Sequence, residues 1–455
     1  MDSQAVARRA EGYAVTPKSA RRILGIGLPI VGGMLSQNVL DLVDTIMVGS
    51  LGEAALAAVG IASFANFMAV ALLIGLASGV QAVVARRKGE GRLKEQAIPL
   101  NGGLFFALIA AVPLAIGGVF FAPQIYPTLV SGNEAVIAEG TPYFQARLAG
   151  AIAIGLNFSF RGYWYGIGET GTYLKIIIAV HVTNIVLSYG LIFGAFGLPE
   201  LGTLGAGLGT TIALYVGTVL YAIITYRRAR DEGFLERLPR GQTMSSLMRL
   251  SIPAAIQTLL FAAGLTTLFV IAGYVSVTAL AVSNILVNLS KLAVLPAMGL
   301  GFAAMTLVSE ALGRQEPDEA ARWAWHTIQV ALFAVLPVAF VLAAAPMPMT
   351  SIFTGEPTVL AAAELPLRIL GGMLFFEAVG SVLMSALTGA GAARTALVVN
   401  VGTQWVIGLP LAFALGISAG FGVTGIWLGF AIFRLVAAVT LAAIWIRGDW
   451  KSIRL

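Results

Sequence analysis

The chain has 455 residues, 58% of them hydrophobic and 11% charged, with a net charge of +6 and a mean hydropathy of +0.89. Soluble domains carry about a quarter charged residues, so the composition excludes a string of soluble domains and implies a polytopic membrane protein. Without cysteine there is no disulfide, no Cys-ligated zinc and no thiol catalysis, and two histidines, His181 and His326, make no His-rich metal centre.

The first 22 residues are polar and basic, and the apolar stretch after them is a full span, so no cleavable signal peptide is expected. About twenty apolar residues cross the hydrocarbon core as a helix. Twelve such spans follow in order: 23–48, 54–84, 97–121, 135–160, 171–194, 203–226, 248–273, 279–309, 321–345, 361–387, 395–416 and 421–446. Helix breakers such as GSLGE, PTLVSGNE, GLPELG and GRQEPDE separate them.

Lys and Arg gather at the N-terminus (Arg8, Arg9, Lys18, Arg21, Arg22) and in the second connection (Arg86, Arg87, Lys88, Arg92, Lys94). They return in the sixth, eighth and tenth connections and at the C-terminus, whereas the odd connections contain none. The positive-inside rule then places both termini in the cytoplasm. Spread through the chain in this way, the positive charge reports topology and points to no nucleic-acid partner.

The chain resembles itself at one fixed offset. Over residues 29–97 Pro29 falls on Pro253, Gly49 on Gly273, Gly75-Leu76 on Gly299-Leu300 and Gly89 on Gly313; later, at a slightly shorter spacing, LGTLGAGLG (201–209) resembles FGVTGIWLG (421–429). Six spans separate the copies, so both halves have the same orientation, as in transporters with a central site between parallel repeats. The fold expected is all-α: twelve transmembrane helices in two pseudo-symmetric six-helix lobes. The segments read as a cytoplasmic N-terminal segment (1–22), an N-lobe (23–226), a cytoplasmic linker (227–246), a C-lobe (247–446) and a cytoplasmic tail (447–455).

Ionisable residues inside spans are costly and mark function by default. VLDLVDTIMVGSLG (39–52) places Asp41 and Asp44 on one face of span 1. Glu377 lies near the middle of span 10, and Lys291 inside span 8. Asp44 and Glu377 read as cavity carboxylates, one in each half, that bind a proton or Na⁺ in one state and an organic cation in another. The competing reading for Glu377 is an internal ion pair with Lys291 or Arg434. Arg147, Arg161, Arg434 and His181 are expected to serve packing or to lie near an interface. Gln37, Asn157, Asn184, Ser188 and Thr210 add polar groups in the first half, each by itself a helix-packing hydrogen bond, and together with a carboxylate an oxygen-rich pocket for Na⁺ or a proton network. Phe64, Phe67, Tyr163, Trp164, Phe375 and Phe376 are candidates to face an aromatic cation.

VDTIMVGSLGEAALAAVG, GLASGVQAVVARRKGEG, GIGETGTYLK, NIVLSYGLIFGAFGLPELGTLGAG and SALTGAGAARTALVVN make the chain resemble the multidrug and toxic compound extrusion (MATE) family, in its bacterial NorM-like branch. The resemblance covers essentially the whole chain. It implies two six-helix lobes that export organic cations and other amphipathic compounds in exchange for H⁺ or Na⁺. Asp44 stands at the family's span 1 coupling aspartate. Asn184, Ser188 and Thr210 fall near its first-lobe polar network, so a Na⁺ ion is expected near Asp44, Asn184 and Thr210 if Na⁺ is the coupling ion. Glu377 stands where the branch commonly has an aspartate. The branch's span 7 glutamate, four residues after the Gln of PxxxQ, is here Phe261, behind Pro253 and Gln257. This departure favours H⁺, or a first-lobe site, over a second-lobe Na⁺ site.

The expected protein is therefore a monomeric inner-membrane antiporter for lipophilic cations, with no cofactor beyond its coupling ion. A lipid-linked precursor flippase of the same broader superfamily is the alternative. The chain has no Walker A, GxSxG or HExxH motif in a useful context, so an enzyme is not expected.

Overall fold

The computed structural model describes residues 14–130 and 132–454, so Arg8 and Arg9 lie outside it. The described chain is helical, and twelve membrane helices follow one another: α1 (Pro17–Gly49), α2 (Glu53–Gly89), α3 (Ile98–Leu129), α4 (Glu134–Ala149 and Ala151–Ile167), α5 (Thr170–Phe193), α6 (Gly202–Ala229), α7 (Gly241–Val275), α8 (Val277–Gly313), α9 (Pro317–Ala344), α10 (Pro357–Ala390), α11 (Ala393–Ser418) and α12 (Gly422–Arg447). Eleven are long and apolar enough to span as single runs. The remaining span, α4, is divided at Gly150 into two shorter helices.

The side chains sort as lipid requires. On α5, Ile178, Val182 and Val186 form an outward stripe four residues apart; on α3, Ile116 and Phe120 point out while Ala107, Ala111 and Ala115 are buried. Against lipid, burying one apolar helix on another gains little, so such helices are held together by close packing of small residues.

Tertiary contacts divide the chain into one unit from Gly32 to Ala255 and another made of the chain up to Val31 with everything from Ile256 onward. The boundary expected from the sequence is the 227–246 linker. The units instead part inside α1 and α7, two residues after Pro29 and Pro253, prolines that each remove a hydrogen bond within their helix. The reason is a matched exchange of packing. A Cβ on Gly75 would fall 2.5 Å from the Ser251 carbonyl oxygen, and one on Gly299 2.5 Å from Val31. The first half of α7 thus packs in the same unit as α2, and the first half of α1 in the same unit as α8. Val31 and Ala255, the last residues before each break, are themselves repeat equivalents, spaced as Pro29 is from Pro253. At that same spacing α1 and α7 begin, and α2 and α8 both begin and end.

The basic second connection also makes tertiary contacts. Arg87 and Lys88 are clamps: Arg87 donates to the Glu95 carbonyl (2.6 Å) and to Thr243 Oγ1 (2.8 Å), and Lys88 to the Ile167 carbonyl (2.6 Å).

Candidate functional site

In the unit from Gly32 to Ala255, α1 carries a polar face. Asp41 and Gln37 are exposed and Asp44 is half-buried. Gln37 Nε2 donates to Asp41 Oδ1 at 2.9 Å, and Gln37 Oε1 lies 3.1 Å from His181 Nε2 on α5. An amide oxygen accepts only, so the imidazole carries its proton on Nε2 and leaves Nδ1 buried without a partner. Asp41, Gln37 and His181 therefore form one hydrogen-bonded chain.

Asp44 stands outside that chain. Its Oδ1 is buried with no hydrogen-bond partner, and among the described residues it makes no ion pair. Arg147 on α4 and Asp41 supply opposing charges in its field, and the Nε and Nη1 of Arg147 are likewise buried without partners. A carboxylate and a guanidinium that act on each other while each keeps unbonded atoms can take up a further ligand, a proton or a cation, without breaking a direct pair. The sequence points to packing or to an interface for Arg147 and His181; their link to the acids crosses from α1 to α4 and α5, and no local spacing encodes it.

The other polar candidates divide. Asn184 and Ser188 are buried one turn apart on α5, with Ser188 Oγ 3.4 Å from Asn184 Oδ1. Asn157 is committed to packing: its Nδ2 donates to the Leu214 carbonyl and its Oδ1 accepts from Thr218, both at 2.9 Å. Thr210 donates to Ala206 within its own helix at 3.0 Å. Tyr163 and Trp164 are buried core residues, whereas Phe64, Phe67 and Phe375 are exposed within their spans.

In the other unit Glu377 is buried on α10, and its partner is Arg434 on α12, with Nε to Oε2 at 2.7 Å. The N–H does not point at the oxygen, so the contact is Coulombic without an aligned hydrogen bond. The guanidinium carbon sits 5.2, 5.4 and 4.9 Å from the ring centres of Phe261, Phe430 and Phe433. Phe261 is the residue that replaces the expected glutamate, and it now walls a cation that the chain itself provides. Gln404, in a π-helical turn of α11, donates to the Phe261 carbonyl at 3.2 Å, and its Oε1 is buried without a partner. Such turns recur at functional sites, and nothing in the local sequence singled out Gln404. Lys291 is not in this cluster. It is exposed on α8 and donates to Asn288 (3.1 Å), which donates to Asn284 (2.8 Å), so that α8 carries a polar ladder.

A family model described as MatE matches residues 29–190 and 253–414, two stretches at the offset of the internal repeat. A probable multidrug resistance protein NorM of Thermotoga maritima is 26% identical over 96% of this chain and 94% of its own length. A protein of the same description from Bradyrhizobium diazoefficiens is 30% identical over 91% and 90%. Among solved structures, an outward-facing multidrug resistance MATE family transporter of the MOP superfamily superposes with a TM-score of 0.87 at 21% identity, covering 96% of this chain and 97% of that one. The chain belongs to the MatE family of membrane transporters and is a transporter, not an enzyme.

Proposed function

We propose that this chain is a multidrug efflux antiporter that exports lipophilic or organic cations in exchange for H⁺ or Na⁺ by alternating access, with Asp44 as the coupling group. The names of its relatives support efflux of multiple drugs. The observation that carries the coupling assignment is the contrast between the two intramembrane acids. Glu377 already has a cation beside it in Arg434, whereas Asp44 has an orphaned buried oxygen and no ion pair among the described residues. Asp41 and Gln37, exposed within a span, require water and not lipid beside them, which supports an aqueous path to Asp44. Asn184 and Ser188 supply oxygen atoms suited to Na⁺, while Thr210 holds its hydroxyl within its own helix. The relatives are bacterial, and the charge alternation supports a plasma-membrane protein with both termini inside. A flippase for an anionic lipid precursor needs a strongly cationic site, and Lys291 is a single exposed charge.

The test is efflux of ethidium from proteoliposomes under an imposed ΔpH or Na⁺ gradient, comparing the wild type with Asp44→Asn. Transport driven by one gradient and lost in the variant supports the reading and names the ion. Undiminished gradient-driven efflux by the variant refutes Asp44 as the coupling group.

A further inference from the structure

The two helices α1 and α9 both begin beside a cavity of about 740 Å³ whose lining includes Lys18, Arg21, Arg22, Arg322, Trp323 and His326, with Thr16 and the acid Glu319 among them. Its charges can be matched one by one. Arg22 pairs with Glu310 at 2.7 Å and lies 5.1 Å over the Trp323 ring. Glu319 accepts from Arg314 at 3.0 Å and from Trp323 Nε1 at 2.9 Å. Asp318, in the first turn of α9, pairs with Lys451 at 2.7 Å. The acids at this end are thus answered by cations. Lys18, Arg21 and Arg322, all exposed, make no ion pair among the described residues. Three positive charges without an ion pair among the described residues and two helix starts, each with its positive dipole end, converge on one concavity.

We propose that this cavity binds the phosphate of an anionic phospholipid headgroup. The shared chemistry is that of any phosphate anion, since guanidinium groups match phosphate oxygens in paired geometry. What favours a lipid over free phosphate is the surface that continues from the cavity. On α9, Phe333 lies eleven residues beyond Arg322, three turns along the same face, and Leu336 and Phe340 extend the stripe; all three are exposed. On α1, exposed Leu28 stands two turns beyond Arg21, again on one face. At about 1.5 Å per residue the apolar stripe begins roughly 10–16 Å from the cations, where the acyl chains of a lipid held by its headgroup would lie. Basic pockets between transmembrane helices at the positive side of a membrane bind headgroups in this way.

The test uses the full chain in mild detergent, stripped of co-purified lipid. Binding of short-chain phosphatidylglycerol, short-chain phosphatidylcholine and inorganic phosphate is measured by calorimetry for the wild type, Arg21→Gln/Arg322→Gln and the charge-preserving Arg21→Lys/Arg322→Lys. The expected result is one phosphatidylglycerol site at least tenfold tighter than phosphatidylcholine, weakened at least tenfold in the Gln variant and largely kept in the Lys variant. Equal affinity of wild type and Gln variant for phosphatidylglycerol, or equal binding of the two lipids, overturns the proposal. Inorganic phosphate binding as tightly as phosphatidylglycerol overturns the lipid assignment. Helical circular dichroism of both variants excludes misfolding as the cause of a loss.

Discussion

Arg434 stands 2.7 Å from Glu377, and Phe261, Phe430 and Phe433 wall its guanidinium. An acid in an aromatic setting is what an organic cation would seek, and here an arginine of the chain already fills it. Breaking a buried pair from one side costs about 3–5 kcal/mol, whereas replacing both partners with uncharged groups of similar size is often neutral. Arg434→Met is therefore expected to lower the thermal unfolding midpoint substantially, and Arg434→Met/Glu377→Gln to recover most of the loss. A double variant no more stable than Arg434→Met alone would show that the pair is not what holds these helices.

The same double variant separates the two acids in function. If coupling runs through Asp44, Arg434→Met/Glu377→Gln keeps ethidium efflux within about threefold of wild type, roughly 0.7 kcal/mol, while Asp44→Asn falls to the level of empty vesicles. Both are read in one proteoliposome assay at matched protein content. Loss of gradient-driven efflux in the double variant would place Glu377 in the coupling step.

The scaffold was far more legible than the chemistry, and the repeat shows why. The starts of the first two helices of each half, with Gly and Pro positions among them, recur at a fixed offset because both halves solve the same packing problem. The charges do not recur: at the offset that carries Pro29 onto Pro253, Gln37, Asp41 and Asp44 fall on Phe261, Leu265 and Leu268. Each carboxylate could be marked as costly in a membrane, but its partner could not. Arg434 lies two helices beyond Glu377, and His181 meets Asp41 only through Gln37. The exchange of half-helices between the units was equally hidden, since a hydropathy pattern shows where a helix lies and not what it packs on.

Gln37→Leu tests the chain from Asp41 to His181. It removes two hydrogen bonds and leaves His181 Nε2 without its acceptor, a cost of about 1–3 kcal/mol for a buried polar group. A lower unfolding midpoint is expected, with efflux reduced by less than tenfold, because Asp44 lies outside this chain. A loss of efflux as complete as that of Asp44→Asn would make the relay part of coupling.

The glycines of the repeat make a stability prediction that needs no transport assay. A Cβ on Gly209 would fall 2.5 Å from Ser188 Oγ, and one on Gly429 2.5 Å from the Ala412 backbone nitrogen. These are the ninth positions of the matching segments LGTLGAGLG and FGVTGIWLG, and in each half the glycine lets the sixth helix close on the fifth. Gly49 and Gly273 also match, but a Cβ there meets nothing within 4 Å. Gly209→Val and Gly429→Val are expected to abolish a monodisperse peak in size-exclusion chromatography, and Gly49→Ala and Gly273→Ala to retain it. Tolerance of both valines would refute the close helix contact.

Lys291 is the exposed cation of a polar ladder with Asn288 and Asn284, and the repeat equivalents of these three in the first half are Phe67, Phe64 and Gly60. One half thus presents aromatic faces, with Phe64 and Phe67 exposed, where the other presents a positive charge. An exposed lysine in mid-span must meet water, and from there it repels any cation that shares that water. In a solvated setting a unit charge acts on another about 10 Å away with roughly 0.4–1 kcal/mol. Lys291→Met should therefore lower the KM for ethidium about two- to fivefold with kcat little changed, an effect that shrinks as salt is raised. A neutral amphipathic substrate should show no such shift. An unchanged KM for the cation at low salt would place Lys291 away from the transport path.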